Sequence, residues 1–223
     1  MADSVSIIIA DDHPLFRTAL TGMLNSSGNI STIHEAEDFS SLQSCVEKNN
    51  QADLILLDLH MPGAEGFSSL VFLMAHYAHI PVVIISAHEE AEIIRRALDH
   101  GANGFLPKSA SPEQISEAIE TVLEGGVWAP DNIADQAGAA EEELNTADAL
   151  ASLTPQQFRV ANMVAQGLLN KQIAYELDVT EATIKAHMTE IFKKLGVHSR
   201  TQVAVVLNQL AVNPSQSLED FKN

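Results

Sequence analysis

The chain has 223 residues, of which 46% are hydrophobic and only one is cysteine, and its formal net charge is −18. The apolar fraction is typical of a globular protein, and the length allows one large domain or two small ones. A lone thiol cannot form an intramolecular disulfide, and no apolar run approaches the roughly 20 residues that cross a bilayer. We therefore expect a cytoplasmic protein without a membrane segment. The acidic excess argues against nucleic-acid binding, since phosphates repel such a chain.

The negative charge is distributed unevenly along the chain. Residues 1–130 have a net charge of −13 and residues 131–152 one of −6, whereas residues 153–212 carry +2. Such asymmetry indicates segments with different partners, although +2 is also an ordinary charge for a domain surface. The composition thus predicts an acidic N-terminal part and a separate, mildly basic C-terminal part.

The first 125 residues alternate short apolar runs with amphipathic stretches. The apolar runs are typical of parallel strands buried on both faces. The predicted strands are residues 5–10, 31–35, 53–58, 81–86 and 103–106. The predicted helices are residues 14–24, 39–49, 66–75, 89–100 and 112–124. Five strand–helix pairs in this order predict a doubly wound α/β sheet.

Residues 131–152 are rich in Ala, Asp and Glu and contain few large apolar side chains. This composition predicts a linker with a helical part at residues 139–150, and we expect little of it to bury against a core. Residues 213–223 are polar and predict a frayed tail.

The segment after Leu153 has helical patterns and no predicted strand. Thr154 precedes a proline and is followed three residues later by Gln157, which is the pattern of a helix N-terminus with a capping box. Gly167 is expected to end this helix. Further helices are predicted at residues 170–177, 181–195 and 200–210.

Polar side chains lie at the carboxyl ends of four of the five predicted strands: Asp11 and Asp12 follow the first, Asp58 ends the third, Ser86 ends the fourth and Lys108 follows the fifth. The carboxyl ends of parallel strands meet at one edge of the sheet, where ligands bind. Three carboxylates at one edge repel each other unless a cation such as Mg²⁺ lies among them. A cation, a hydroxyl and an ammonium around one carboxylate suit a phosphoryl group, and Asp58 is the expected acceptor. Taken singly, each residue is also an ordinary turn or capping residue.

This arrangement resembles the receiver domain of bacterial response regulators over residues 5–125. The matching segments are IIIADDHPLFR, LILLDLHMPG, VVIISA and GANGFLPKS. The resemblance implies a flavodoxin-like (βα)5 fold, Mg²⁺ bound by Asp11, Asp12 and Asp58, and phosphorylation of Asp58 by a sensor histidine kinase. It also implies a switch in which Ser86 moves to the phosphoryl group and Phe105 turns inward. From its pattern alone, Phe105 is equally a core strand residue.

Two further positions in this segment are informative. One departs from the commonest receiver pattern, and the other lies near the expected acceptor. Pro107 precedes Lys108, whereas many receivers have proline after the lysine, and the isomer of the bond before Pro107 is left open. His60, two residues after Asp58, stands where the family tunes the lifetime of the phosphoryl group. As a lone histidine it is also compatible with an ordinary surface loop.

The run 170–195 contains two predicted helices separated by three residues, which is the spacing of a helix-turn-helix. At 100° per residue, one narrow stripe of the second helix is apolar and should face the core: Ile184, Met188, Ile191 and Leu195. The opposite face carries small residues and two lysines: Ala182, Lys185, Ala186, Thr189 and Lys193. That face suits a DNA major groove, and it also suits plain exposure to solvent.

Residues 152–207 resemble the four-helix DNA-binding domain of the LuxR (NarL-type) regulators. The shared elements include LTP at residues 153–155, NKQIA at 170–174, TIK at 183–185 and KLGV at 194–197. The resemblance implies base contacts from Lys185, Ala186 and Thr189. It also implies phosphate contacts from Lys171, Lys193, Lys194 and Arg200. Family members usually have glutamates in place of Gln157 and Arg159, so Arg159 either loses an internal ion pair or gains a phosphate contact.

The predicted fold is α/β plus all-α. The predicted domains are a receiver at residues 1–126, a linker at 127–151, a LuxR-type DNA-binding domain at 152–212 and a tail at 213–223. The predicted function is transcriptional regulation, not enzymatic turnover, in a two-component phosphorelay. The expected partners are a sensor histidine kinase, double-stranded promoter DNA and a second copy of the chain. Helix 200–210 is the expected dimer contact, although its valines could equally be core.

Two other functions are compatible with the sequence. One is a regulator whose receiver only mediates dimerisation, without any need for phosphorylation. The other is a metal-dependent phosphatase that forms an aspartyl intermediate. Such enzymes need a second acid two residues after the nucleophile, and His60 stands there instead.

Overall fold

The computed structural model describes residues 5–26, 30–130, 133 and 137–212. The predicted tail at 213–223 lies outside these ranges. The five strands are β1 (Val5–Ala10), β2 (Ile30–Ala36), β3 (Leu54–Leu57), β4 (Val82–Ser86) and β5 (Gly104–Pro107). They form one parallel sheet in the order β2-β1-β3-β4-β5. This confirms the doubly wound α/β fold, and every predicted strand boundary is correct to within one residue.

One helix follows each strand. These helices are α1 (Pro14–Ser26), α2 (Phe39–Lys48), α3 (Ser68–His76), α4 (Ala91–Asp99) and α5 (Pro112–Leu123). Local side chains fix several starts: Asp38 accepts a hydrogen bond from the Ser41 backbone N–H at 2.7 Å, and Ser111 caps α5 in the same way. The helix predicted to begin at Gly66 begins later because Gly66 has a φ of 53°, in the left-handed region.

The sheet is apolar on both faces, as its sequence pattern predicts. Every residue of β3 and of β4 is buried. A central cluster joins strand residues to α1 and α5: Ile7, Ile9, Leu20, Leu24, Leu54, Leu56, Val83, Ile85, Leu106, Ile115, Ala118, Ile119 and Val122. The strand interiors are filled by apolar side chains, and their backbone polar groups pair within the sheet. Polar side chains therefore lie where the strands end.

The segment after α5 returns to the sheet at its β5 edge. Trp128 forms an isolated parallel bridge with Gly104. The backbone N–H of Phe105 donates to the Trp128 carbonyl oxygen at 2.9 Å, and the Trp128 N–H donates to the Asn103 carbonyl oxygen at 3.1 Å. The Trp128 side chain packs against the central cluster. The peptide bond before Pro107 is trans, and β5 runs through that proline.

The C-terminal part is helical, as predicted. Its helices are α6 (Glu141–Ala151), α7 (Pro155–Ala165), α8 (Asn170–Glu176), α9 (Glu181–Leu195) and α10 (Arg200–Asn208). The capping box of α7 is present, since the Gln157 backbone N–H donates to the Thr154 hydroxyl at 3.3 Å and the Gln157 side-chain oxygen accepts from the Thr154 backbone N–H at 3.0 Å. The expectation that residues 131–152 bury little was wrong for α6, because residues at helical spacing place one face of this helix inside the protein and bury Ala147 and Leu150.

The described chain separates into two compact units. One comprises residues up to 64 together with 77–139, and the other comprises residues 65–76 together with those from 140 onward. The strand-end acidic residues belong to the first unit and the helix-turn-helix belongs to the second. None of the helices in the described ranges is long and apolar enough to cross a membrane.

Candidate functional sites

Three aspartates meet at the carboxyl edge of the sheet. Asp11 and Asp12 follow β1, and Asp58 follows β3, where its N–H donates to the Ala10 carbonyl oxygen at 2.8 Å. Asp11 and Asp58 are each only 2% exposed. One ligand atom from each aspartate and one from His13 all lie within 4.8 Å of one another. The structure therefore brings together the three carboxylates that the sequence singled out.

Lys108 joins two of these aspartates. Its Nζ lies 2.7 Å from Asp11 Oδ2 and 2.8 Å from Asp58 Oδ2. Burial by itself would lower the pKa of Lys108, but its hydrogen bonds to the two carboxylates and their charges outweigh burial and raise the pKa. The ammonium is therefore charged at neutral pH. The Lys108 N–H also donates to the Ser86 carbonyl oxygen at 2.7 Å, which ties the loop after β5 to the end of β4.

The two predicted switch residues lie on adjacent strands. Ser86 is the last residue of β4 and is fully buried, and its hydroxyl accepts a hydrogen bond from the His88 N–H at 3.1 Å. Phe105 lies in β5, and its side chain is 0% exposed. The structure thus has the aromatic ring turned into the protein and the hydroxyl held by the loop after β4.

Three histidines surround the aspartates, and the sequence reasoning underestimated them. His13 Nδ1 lies 2.6 Å from Asp12 Oδ1. The His60 backbone N–H donates to Asp58 Oδ1 at 3.1 Å, and the His60 ring stacks on that of His88 with centroids 4.8 Å apart. A sequence signal for this pair was available, because each histidine comes two residues after a strand-end side chain on neighbouring strands. Burial lowers the pKa of His60 despite the opposing charge of Asp58.

Arg17 was also missed. Its side chain is 11% exposed, and its guanidinium donates to the Asp11 carbonyl oxygen at 2.6 Å. The same group pairs with Glu35 at 3.2 Å and with Glu37 at 3.6 Å. Arg17 therefore fixes the backbone of the loop that carries the first two aspartates. The sequence could not indicate this contact, because the acceptor is a backbone carbonyl oxygen and every residue has one.

The acidic residues fit a divalent cation. Three carboxylates and one ammonium leave a local charge of −2 when His13 is neutral. Asp11 Oδ2 and Asp12 Oδ1 are both buried, and each lies close to a side-chain nitrogen: Lys108 Nζ is 2.7 Å from Asp11 Oδ2, and His13 Nδ1 is 2.6 Å from Asp12 Oδ1. Buried carboxylate oxygens of this kind are stabilised by a cation, and oxygen-rich sites suit Mg²⁺.

The predicted helix-turn-helix consists of α8, a short turn and α9. Asp178 in the turn has a φ of 51°, and Thr180 caps α9 by accepting from the Thr183 N–H at 3.2 Å. The predicted core stripe is largely confirmed, since Ile184, Met188 and Ile191 are buried and Leu195 is half-buried. The opposite face is exposed at every predicted position: Ala182, Lys185, Ala186, Thr189 and Lys193.

A concave surface lies beside this exposed face and is lined in part by Asn170, Lys185, Thr189 and Arg200. It brings residues at the N-termini of α8 and α10 close to two residues of α9. Cationic side chains and helix N-termini are groups that attract phosphate.

The valines of α10 differ in exposure. Val203 is buried, as a core residue would be, whereas Val205 is 52% exposed.

The four predicted phosphate-contact residues differ in their surroundings. Lys171 and Lys193 have exposed side chains. Lys194 is exposed as well, but its ammonium donates to the Ser152 carbonyl oxygen and to Gln157 Oε1, each at 2.8 Å. Arg200 donates to the Leu168 carbonyl oxygen. Two of the four basic groups therefore already connect segments of their own domain.

Family models decide the classification. Residues 7–120 match the response regulator receiver domain, and residues 151–207 match the bacterial regulatory proteins of the luxR family. The chain belongs to the LuxR-type response regulators. In this family a receiver precedes a LuxR-type DNA-binding domain, and both parts are present in the described structure. LuxR-type response regulators are transcription regulators.

Curated relatives span nearly the whole chain. The glycerol metabolism activator of Pseudomonas putida is 39% identical over 208 residues, covering 88% of this chain and 91% of that protein. The nitrate/nitrite response regulator NarL of Escherichia coli strain K12 is 31% identical over 209 residues, covering 93% of this chain and 96% of that protein.

Solved structures have the same architecture. RcsB of Salmonella enterica serovar Typhimurium, bound to the promoter P1flhDC with a phosphomimetic BeF3−, has a TM-score of 0.56 at 23% identity and covers 94% of this chain and 100% of that one. The receiver domain of NarL from Mycobacterium tuberculosis has a TM-score of 0.51 at 33% identity, covering 55% of this chain and 98% of that one. At 23% identity, the RcsB likeness supports the fold alone.

Proposed function

We propose that this LuxR-type response regulator is phosphorylated on Asp58 by a sensor histidine kinase and then binds promoter DNA as a dimer in the cytoplasm. The observation that carries the proposal is the acidic edge of the sheet. There a buried aspartate meets two further aspartates and an ammonium, in a chain whose second domain is of the LuxR type. Such a carboxylate can accept a phosphoryl group only when the surrounding charges are compensated.

In the proposed phosphorylation, an Asp58 carboxylate oxygen attacks the phosphorus atom of a phosphohistidine, and the imidazole of the kinase leaves. Asp58 Oδ1 is held by the His60 N–H and Oδ2 by Lys108, so the carboxylate is fixed before the reaction. Lys108 is positioned to neutralise a phosphoryl oxygen. The Ser86 hydroxyl would exchange its bond to the His88 N–H for one to the phosphoryl group.

Asp11, Asp12 and Asp58 are the residues that would hold Mg²⁺. The ion would offset the negative charge of the phosphoryl group as it approaches the three carboxylates. Arg17 keeps the Asp11 backbone in place while these side chains bind.

For DNA binding, we propose that α9 enters the major groove with Lys185, Ala186 and Thr189 toward the bases. These side chains are exposed, whereas the other face of the helix is buried. Lys171 and Lys193 would contact phosphates. Lys194 and Arg200 are also proposed contacts, and each would have to share its donors with the carbonyl it already binds.

The phosphorylation step is tested with acetyl phosphate and Mg²⁺ on the full chain. Mass spectrometry should detect one added phosphoryl group in the wild type and none in Asp58→Asn. Asp53→Asn is the matched control, because Asp53 precedes β3 at the opposite edge, where it accepts from the Ser6 N–H. An unmodified wild type, or full modification of Asp58→Asn, would contradict the proposal.

The recognition face is tested with Lys185→Ala against Glu190→Ala, both exposed on α9. Lys185→Ala should weaken binding to a selected DNA site and change the preferred sequence, because it removes a proposed base contact. Glu190→Ala should not change the preferred sequence. Unchanged affinity and preference in Lys185→Ala would refute the assigned face.

A regulator that works without phosphorylation is the main alternative. It is distinguished by comparing DNA affinity with and without acetyl phosphate at one salt concentration, because protein–DNA affinity depends strongly on salt. The proposal requires tighter binding after phosphorylation and no such change in Asp58→Asn. Steady release of phosphate over many turnovers would instead favour a phosphatase.

A further inference from the structure

We propose that His13 is an additional ligand of the acidic site, and that it strengthens the binding of borderline transition metals such as Co²⁺ and Zn²⁺ more than the binding of Mg²⁺. This inference rests on the proposed function, because it concerns the metal position beside Asp58. It extends that function by naming a fourth donor and the class of metal that this donor selects.

The position of the His13 ring carries the inference. The backbone N–H of His13 donates to Asp11 Oδ1 at 2.7 Å, which holds the residue in the loop after β1. Its Nδ1 lies 2.6 Å from Asp12 Oδ1, 3.2 Å from Asp11 Oδ1 and 4.0 Å from Asp58 Oδ2. Bonds from a metal such as Zn²⁺ to nitrogen and oxygen are about 2.1 Å long, so two donors of one ion lie at most about 4.2 Å apart. All three distances satisfy this limit.

The donor types decide which metals gain from the histidine. Mg²⁺ prefers oxygen ligands and keeps several waters, so an imidazole adds little to its binding. Co²⁺, Ni²⁺ and Zn²⁺ accept imidazole nitrogen readily alongside carboxylates. A neutral imidazole with its proton on Nε2 also adds a donor without adding charge, which leaves a site of −2 that one divalent cation neutralises.

The ring is also accessible to an incoming ion. The His13 side chain is 63% exposed, whereas the side chains of Asp11 and Asp58 are 3% and 2% exposed. An ion can therefore reach the imidazole from solvent and pass from it to the buried carboxylates. Lys108 Nζ, at 3.4 Å from His13 Nδ1, is the resident cation that a metal has to displace or share with the aspartates.

The test measures Co²⁺ and Mg²⁺ dissociation constants separately by calorimetry on the unphosphorylated full chain at mildly alkaline pH. The variants are wild type, His13→Ala, His88→Ala and Asp12→Asn. His88→Ala is the matched control, since that imidazole lies at the same edge of the sheet but is not among the clustered donors. The visible spectrum of bound Co²⁺ provides a second readout, because it changes when nitrogen ligation is lost.

We expect His13→Ala to weaken Co²⁺ binding by at least about tenfold, the lower end of what the loss of even an outer-shell partner costs, and to change the Co²⁺ spectrum. Mg²⁺ affinity should change far less, and His88→Ala should resemble the wild type for both metals. Equal effects of His13→Ala on Co²⁺ and Mg²⁺ would overturn the inference while leaving the metal site intact. If neither Co²⁺ nor Mg²⁺ binds to the wild type, or if Asp12→Asn binds both metals as tightly as the wild type does, the metal site itself is overturned.

Discussion

Arg17 provides a quantitative test of how the acidic loop is held. Arg17→Met keeps most of the aliphatic stem and removes the guanidinium, which binds the Asp11 carbonyl oxygen at 2.6 Å and pairs with Glu35 and Glu37. A hydrogen bond from a charged donor contributes about 1.5–3 kcal/mol. The glutamate side chains are 45% and 70% exposed, so each ion pair contributes only about 0–1 kcal/mol. We expect Arg17→Met to lower the free energy of unfolding by about 2–4 kcal/mol.

The chain contains a suitable probe for this measurement. Trp128 is the single tryptophan, and it packs against the core cluster of the sheet. Urea denaturation of the full chain, followed by tryptophan fluorescence, therefore reports the unit that contains Arg17. Two units need not unfold together, so a probe confined to one of them is preferable to total helix content.

Two controls separate the parts of this estimate. Glu37→Gln removes only the most exposed ion pair and should change the unfolding free energy by less than about 0.5 kcal/mol. Arg17→Lys keeps one charged group and should recover part of the lost unfolding free energy. It should not recover all of it, because an ammonium cannot reach several acceptors at once as the planar guanidinium does. A loss below about 1 kcal/mol in Arg17→Met, or an equal loss in Glu37→Gln, would refute the reasoning.

Three further predictions concern the C-terminal helices. Thermal denaturation is followed by circular dichroism and by Trp128 fluorescence together, and each prediction is read from the circular dichroism transition that the fluorescence does not report. Lys194→Met should lower stability by only about 1 kcal/mol, because it removes two hydrogen bonds at 2.8 Å on an exposed residue, where water competes for the ammonium; Lys193→Met is the control that should leave stability unchanged. Ile191→Ala should cost about 2–5 kcal/mol, since its side chain is 0% exposed; a smaller loss would mean that the site collapses around the cavity. Gly196→Ala should cost about 1 kcal/mol from its φ of 66° alone, because among the described residues no atom outside its immediate chain neighbours lies within 4 Å of the added methyl group; no loss would show that the turn relaxes.

The acidic edge could be predicted because parallel topology leaves little choice. Once five strands alternate with helices, their carboxyl ends lie at one edge, and Asp11, Asp58 and Ser86 must gather there. The apolar stripe of α9 was predictable for a similar reason, because helical periodicity alone determines which residues share a face.

The interactions that escaped prediction have backbone acceptors or depend on side-chain rotamers. Lys194, Arg200 and Arg17 each donate to a carbonyl oxygen, and every residue has one, so no residue type marks the partner. The direction of the His13 ring depends on its side-chain torsions, which the sequence does not specify. The burial of α6 was missed because only two residues of its buried stripe are apolar, Ala147 and Leu150, and the other two are Glu143 and Thr146.

The bridge between Trp128 and β5 determines where the receiver can be cut from the rest of the chain. The family match ends at residue 120 and α5 ends at Leu123, so both suggest a boundary before the tryptophan. A fragment ending there would leave the Phe105 N–H and the Asn103 carbonyl without partners on an open strand edge, the kind of edge that templates association between chains. A fragment ending after Pro130 would keep that edge covered and retain its own fluorescent reporter.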